Sequence, residues 1–168
     1  MSESRKIDEA VTRAEAQAQV QAAVGDPRAL RDALGRFATG VTVVTTCEAG
    51  CTTPIGITAN SFASVSLDPP LVLWSAARSS LRHVHFSTAD AFAIHVLKFD
   101  QIGMADRFTR NGKGFEGLDF DRNAEGAPIF AGALARFDCV TEATHEGGDH
   151  TIIIGRVMRF LTEEGAPL

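Results

Sequence analysis

A succession of strand-length runs between residues 41 and 160, with few helical stretches between them, limits what this chain folds into. Val41 to Thr46 is β-branched at every position, as a strand prefers. Leu71–Trp74 and Phe92–Leu97 are short apolar runs. From Ala133 to Ala143, Phe137, Cys139 and Thr141 alternate with Arg136, Asp138 and Glu142. Thr151 to Phe160 is a longer β-rich segment, with Gly155 read as a bulge or bend. There is no steady strand–helix alternation, which disfavours a doubly wound parallel sheet. Apolar residues lie on both faces of the runs. The pattern predicts a mainly β fold: a closed or partly closed antiparallel barrel with flanking helices.

The helices are short. Asp26 at the N-cap and Pro27 at the first helical position start one whose apolar face is Leu30, Leu34 and Phe37. Ser79 or Ser80 is expected to cap a second, running to about Ser87. Asp100 is expected to cap a third, with Ile102, Ala105 and Phe108 buried. Residues 111–132 are rich in Gly, Asn, Asp and Pro and read as loop. Residues 1–25 carry a thin apolar stripe (Ile7, Val11, Ala14, Ala18) and read as a marginal helix or a flexible arm. The expected division is thus an arm over 1–25 and a domain over 26–168. The end, Thr162 to Leu168, stops after what reads as a turn, and whether a further strand follows stays open.

Length and composition exclude several classes. A chain of 168 residues fits one domain, and 45% hydrophobic with 22% charged residues is ordinary for a globular protein. Net charge is −5, with no basic cluster to bind nucleic acid. No apolar stretch is long enough to cross a bilayer, and no charged-then-apolar leader opens the chain. Three cysteines, Cys47, Cys51 and Cys139, make no disulfide framework and suit a reducing cytoplasm.

Several motifs carry weak chemistry. Gly112 to Gly117 spells G-x-G-x-x-G, but the expected order is helix before it rather than strand, so a flexible loop is the better reading. No P-loop and no G-x-S-x-G elbow occurs. Cys47 and Cys51 lack two further ligands at zinc spacing. His145, Asp149 and His150, with Glu146 nearby, read as a metal site, as a polar turn bent by Gly147 and Gly148, or as a turn delivering a histidine to a pocket rim. His95, inside an apolar strand, reads as a satisfied core residue.

The stretch from Thr58 to Ser66 is the most informative. It interleaves small hydroxyl and amide residues with apolar ones and ends at Asp68-Pro69-Pro70, a rigid turn. Small side chains let backbone N–H and C=O groups lie against a planar polar ligand. Downstream, Ser75 to Ser80 places hydroxyls and Arg78 at an expected helix start, a natural phosphate site. Ligand binding and plain polar loops both remain open on composition alone.

Three segments, Phe37–Thr46, Gly56–Leu71 and Gly148–Gly155, occur in order. Together they closely resemble the flavin reductase-like family, the reductase components of two-component flavin monooxygenases. The resemblance runs from about Leu30 to about Phe160. It implies an FMN-binding split β-barrel of antiparallel Greek-key type, assembled as a homodimer in the cytoplasm. It implies an NAD(P)H-dependent flavin reductase: hydride passes from NADH or NADPH to FMN, or FAD, and reduced flavin feeds a monooxygenase partner. No metal, nucleic acid or membrane enters that picture. By the family pattern Thr58, Ala59, Asn60 and Ser61 line the isoalloxazine, and Ser64 and Ser66 continue the wall. Ser75, Ala76, Arg78, Ser79 and Ser80 fall where the ribityl phosphate lies, and His150 falls near the nicotinamide. Ile57 stands where Met is commoner, and Ser79–Ser80 lacks a lysine some relatives carry. The chemistry asks for no protein nucleophile, because the cofactor carries the hydride transfer. The alternative on the same fold is a non-enzymatic flavin- or haem-binding protein.

Overall fold

The computed structural model describes residues 25–48, 50, 52–109 and 114–168. The expected N-terminal arm lies, but for Gly25, outside them, as do Cys51 and the start of the G-x-G-x-x-G string. The chain divides into two units, Met1–Ala38 and Thr39–Leu168. In the first, helix α1 spans Pro27–Leu34, with Pro27 in its first turn. Asp26 caps it, accepting the Arg28 N–H at 2.9 Å. Phe37 lies beyond its end.

The second unit is built on one seven-stranded antiparallel sheet. Its strands are β1 (Thr42–Cys47), β2 (Pro54–Ala59), β3 (Ala63–Leu67), β4 (Pro70–Ala77), β5 (Ala91–Val96), β8 (Ala135–Gly147) and β9 (His150–Thr162). Two short helices, α2 (His83–Ser87) and α3 (Ile102–Arg107), and a small ribbon of β6 (Asp121–Arg122) with β7 (Pro128–Ile129) complete it. The sheet order is β2-β1-β5-β8-β9-β4-β3. The mainly β, antiparallel expectation holds, but hydrogen bonding does not close the sheet into a barrel, because β2 and β3 are left as its edges.

The unbroken β-branched run of β1 is explained by burial on both faces. Val44 packs with Ile55, Trp74, Phe86, Phe92, Ile94 and Ile153 in one apolar cluster. Val43, one residue away and so on the opposite face, packs with Leu97, Ala105, Phe108, Phe115 and Phe130 in another. A strand buried on both sides needs apolar character without alternation.

Two segments read as ligand wall are largely strand. Thr58 and Ala59 end β2, and Ser64 and Ser66 lie in β3, whose pairing with β4 skips a residue between them. Gly155 marks a close approach rather than the bulge. The extra residues are Glu142 on β8 and Met158 on β9, whereas a Cβ at Gly155 would stand 3.0 Å from the Cys139 Cβ and inside the Phe92 ring. Helix α2 begins at His83, later than expected, because Ser80 N–H donates to Ala77 O and makes a tight turn straight after β4. Asp100 does not cap α3. Ala105 and Phe108 are buried as expected, but Ile102 is exposed.

Candidate functional site

The candidate residues come from the ends of β2, β4 and β9, and the register decides which side each faces. In β4, Val72, Trp74 and Ala76 point into the first apolar cluster, so Ser75 and Ala77 point to the opposite face. Cross-strand pairing sets His150 beside Ala77 and Ile152 beside Ser75. His150 therefore shares the Ser75 face. Ala76 pairs with Thr151 on the cluster side, where His83 Nε2 and Thr151 Oγ1 are 2.8 Å apart.

The β3–β4 pairing ends at Ala63 opposite Leu73, so the far end of β4 runs on without its β3 neighbour. The Ser61 hydroxyl serves the edge there: it accepts the Ser75 N–H at 2.9 Å and donates to Ser75 O at 3.3 Å. The Thr58 hydroxyl is likewise committed, donating to Ala105 O at 2.6 Å. Ser66 Oγ accepts the Asp68 N–H at 3.2 Å, just before a cis Asp68–Pro69 peptide. Asn60, Ser64, Arg78 and Ser79 are exposed, while Ala59 and Ser80 are half-buried.

The turn after β4 is tied to the β8–β9 hairpin. Arg78 N–H donates to Asp149 O at 2.9 Å, and the Arg78 guanidinium pairs with Glu146 at 3.0 Å. Ser61, the end of β4 with the turn that follows it, and His150 are thus brought together, with Ser64 and Ser66 further along the β3 edge and Thr58 held against α3. His150 Nδ1 lies 2.8 Å from Asp149 Oδ1. A carboxylate only accepts, so Nδ1 carries the proton, and Nε2 of the neutral ring is left as an acceptor. That hydrogen bond holds the Asp149 carboxyl below its ordinary range. His145 and Glu146 lie on the other strand of the same hairpin. Among the described residues no three His, Cys, Asp or Glu side chains gather as a metal site.

One residue was missed in the sequence. Arg82 Nη1 donates to Gly56 O at 2.9 Å and Phe108 O at 2.8 Å, and its Nη2 donates to Thr109 O at 3.2 Å. Burial lowers its pKa. Nothing in the order of residues tells that an arginine after Ser80 will reach the end of α3.

Two clefts lie elsewhere. One, of about 210 Å³, is lined by residues that include Cys47, His85, Asp90 and Glu125; another, of about 300 Å³, by Asp119, Phe120, Ile129 and Arg136 among others. Neither is lined by a candidate residue. In the first, the Cys47 thiol meets Arg122 Nη1 at 2.9 Å.

The candidate residues fit a flavin in two respects. The ends of β2 and β4 are small-residued, which lets a planar ring approach the backbone. Exposed Arg78 and Ser79 supply donors for a phosphate.

Residues 34–168 match the flavin reductase like domain. The chain is 59% identical over 142 residues to the FMN reductase (NADH) SmoA of Agrobacterium fabrum, covering 84% of this chain and 80% of that protein. It is 41% identical over 133 residues to the flavin-dependent monooxygenase reductase subunit HsaB of Rhodococcus jostii, covering 79% and 67%. A further relative, at 50% identity, is longer, the chain spanning 45% of it. Among solved structures, the NADH:FAD oxidoreductase SgcE6 of Streptomyces globisporus, in complex with NAD and FAD fragments, superposes with a TM-score of 0.76 at 40% identity, covering 83% of this chain and 84% of that one.

Proposed function

Because the chain belongs to the flavin reductase-like family, we propose that it is an NAD(P)H:flavin oxidoreductase whose reduced flavin serves a monooxygenase partner. The observation that carries the reading is the end of β4. Small residues, a strand end that β3 leaves unpaired, an exposed arginine and a histidine meet there. Flavin, when bound, accepts a hydride from the nicotinamide. FMN is the favoured flavin, since the SmoA relative is named for it, and NADH the favoured donor; FAD and NADPH are the alternatives.

In this reading Thr58, Ala59, Asn60 and Ser61 line the ring, largely through main chain, because the hydroxyls of Thr58 and Ser61 are bonded within the protein. Ser64 and Ser66 extend the wall. Ala76, whose side chain faces the core, contributes only main chain, Ser75 presents its hydroxyl on the face it shares with His150, and Arg78, Ser79 and Ser80 hold the phosphate. His150, with Nδ1 fixed by Asp149, presents Nε2 to the nicotinamide amide and orients it.

The assembly in this reading is a cytoplasmic homodimer with a split barrel in each subunit. Exposed Leu67 and Phe160 and half-buried Ile152 and Ile154 supply apolar surface for a second copy. The described residues contain no helix long and apolar enough to cross a membrane. Stopped-flow mixing of the FMN-loaded protein with NADH under nitrogen tests the activity. The flavin absorbance is expected to bleach. Binding without bleaching would leave a non-enzymatic flavin-binding protein on the same fold. Sedimentation velocity tests the dimer.

A further inference from the structure

Arg82 holds three backbone carbonyls from two elements. Gly56 O belongs to β2, while Phe108 O and Thr109 O lie at and just beyond the end of α3. A helix leaves its last carbonyls without internal partners, and a cation there is favoured. Phe108 O also accepts the Thr58 N–H at 3.3 Å, and Thr58 Oγ1 donates to Ala105 O in the same last turn. The guanidinium fork thus fixes α3 against β2 at the residue that opens the ring-facing wall. At the other end of Arg82, its own N–H donates to Ser80 Oγ at 3.2 Å, in the turn assigned to the phosphate. Among the described residues no carboxylate pairs with Arg82, and three carbonyls receive its guanidinium.

We propose that Arg82 is a positioning residue that sets the separation between the ring-holding and phosphate-holding halves of the flavin site. This rests on the flavin reductase reading given above. The two halves are not equally anchored. Strand β2 is paired with β1 along six residues and keeps its place without Arg82. The 78–81 turn is held by a few main-chain bonds, chiefly Ser80 N–H to Ala77 O and Arg78 N–H to Asp149 O, and by the reach of Arg82 to β2. Loosening Arg82 therefore displaces the phosphate half and spares the ring half. A lysine keeps the charge but has no planar fork to span three carbonyls.

The test compares FMN with riboflavin, which shares the ring and lacks the phosphate. Affinities are measured by fluorescence quenching for wild type, Arg82→Lys and Arg82→Gln, with thermal melting alongside. Both variants are expected to weaken FMN by about tenfold, the scale of one or two lost hydrogen bonds, and riboflavin by less than about twofold. An equal loss for the two ligands would overturn the proposal and leave Arg82 as a helix cap. An unchanged FMN-to-riboflavin ratio would do the same, and so would full recovery in Arg82→Lys, which would assign the effect to charge alone. If Arg82→Gln does not fold, the Arg82→Lys ratio decides. Failure of wild type to bind either ligand would instead sink the flavin reading, and this proposal with it.

Discussion

The interior around Phe108 and the rim around Arg78 are built from the same sheet and behave as opposites. Phe108 is fully buried, with its ring against Phe115 and Phe130 and between the backbones of Gly56 and Gly114. Nearby, His95 stacks on Phe130 at 4.0 Å between ring centroids and has both ring nitrogens engaged. Nδ1–H donates to Val43 O at 3.2 Å, and Nε2 accepts the Phe130 N–H at 3.4 Å, the pattern of a neutral ring. At the rim, Arg78 meets Glu146 and His150 meets Asp149, all with side chains substantially open to water. Interior contacts are close-packed and costly to alter, whereas exposed ion pairs contribute little and exchange readily. The molecule keeps its rigidity where nothing binds and its replaceable partners where a ligand arrives.

The largest effect that tests this contrast lies inside. A Cβ at Gly56 would stand 2.5 Å from Phe108 Cε1, and the ring has no room to retreat. Gly56→Ala is expected to destabilise the fold by about 3 kcal/mol in urea denaturation. A loss under about 0.5 kcal/mol would show the interior to be softer than described.

Next comes a pH dependence. Burial pushes the His95 pKa down to about 3, against an ordinary value of 6.5. Below pH 6.5 the unfolded chain takes up a proton that the folded chain refuses, so stability falls as pH drops. At pH 5 the loss from this group is about 2 kcal/mol relative to pH 7. His95→Gln, which cannot titrate, should remove that part of the slope in denaturation curves at the two pH values. An unaltered slope would show that other groups carry it.

The rim should give activity effects without stability effects. His150→Ala is expected to lower kcat/KM for NADH by about tenfold, the loss of one orienting hydrogen bond. The unfolding free energy should stay within about 0.5 kcal/mol. Wild-type turnover and KM in that variant would remove His150 from the reaction. Smallest of all, Glu146→Gln should free Arg78 and tighten FMN by about two- to threefold at low salt, with the gain fading at high salt. Weaker binding would mean that Glu146 orients Arg78 rather than competing for it.

Most of the sheet was legible because its strands carry residues that strands select. β1, β4, β5, β8 and β9 were each marked by β-branched runs or alternation, and His95 was read as a satisfied core residue. β2 and β3 were not, since Pro54, Gly56 and Ala59 in β2 and Ala63, Ser64 and Ser66 in β3 have weak strand preference of their own and are ordered by their neighbours β1 and β4. Asp100 looked like a cap, yet the side chain that binds main chain there is Gln101, whose Oε1 accepts the Lys98 N–H at 2.8 Å. The candidate rim was named residue by residue from the family resemblance, but a resemblance does not say which hydroxyls are already spent. Ser61 and Thr58 are, and that follows only from where β4 and α3 come to lie. Arg82 was invisible for the same reason: its partners are main-chain atoms far along the chain.

The bond from Arg78 N–H to Asp149 O joins the turn after β4 to the hairpin that carries His150. Tightening either one stiffens the other, with no hinge or moving lid required. Two guests seated at the two places then share a single free-energy account. Whatever factor the first adds to the affinity of the second, the second returns to the first.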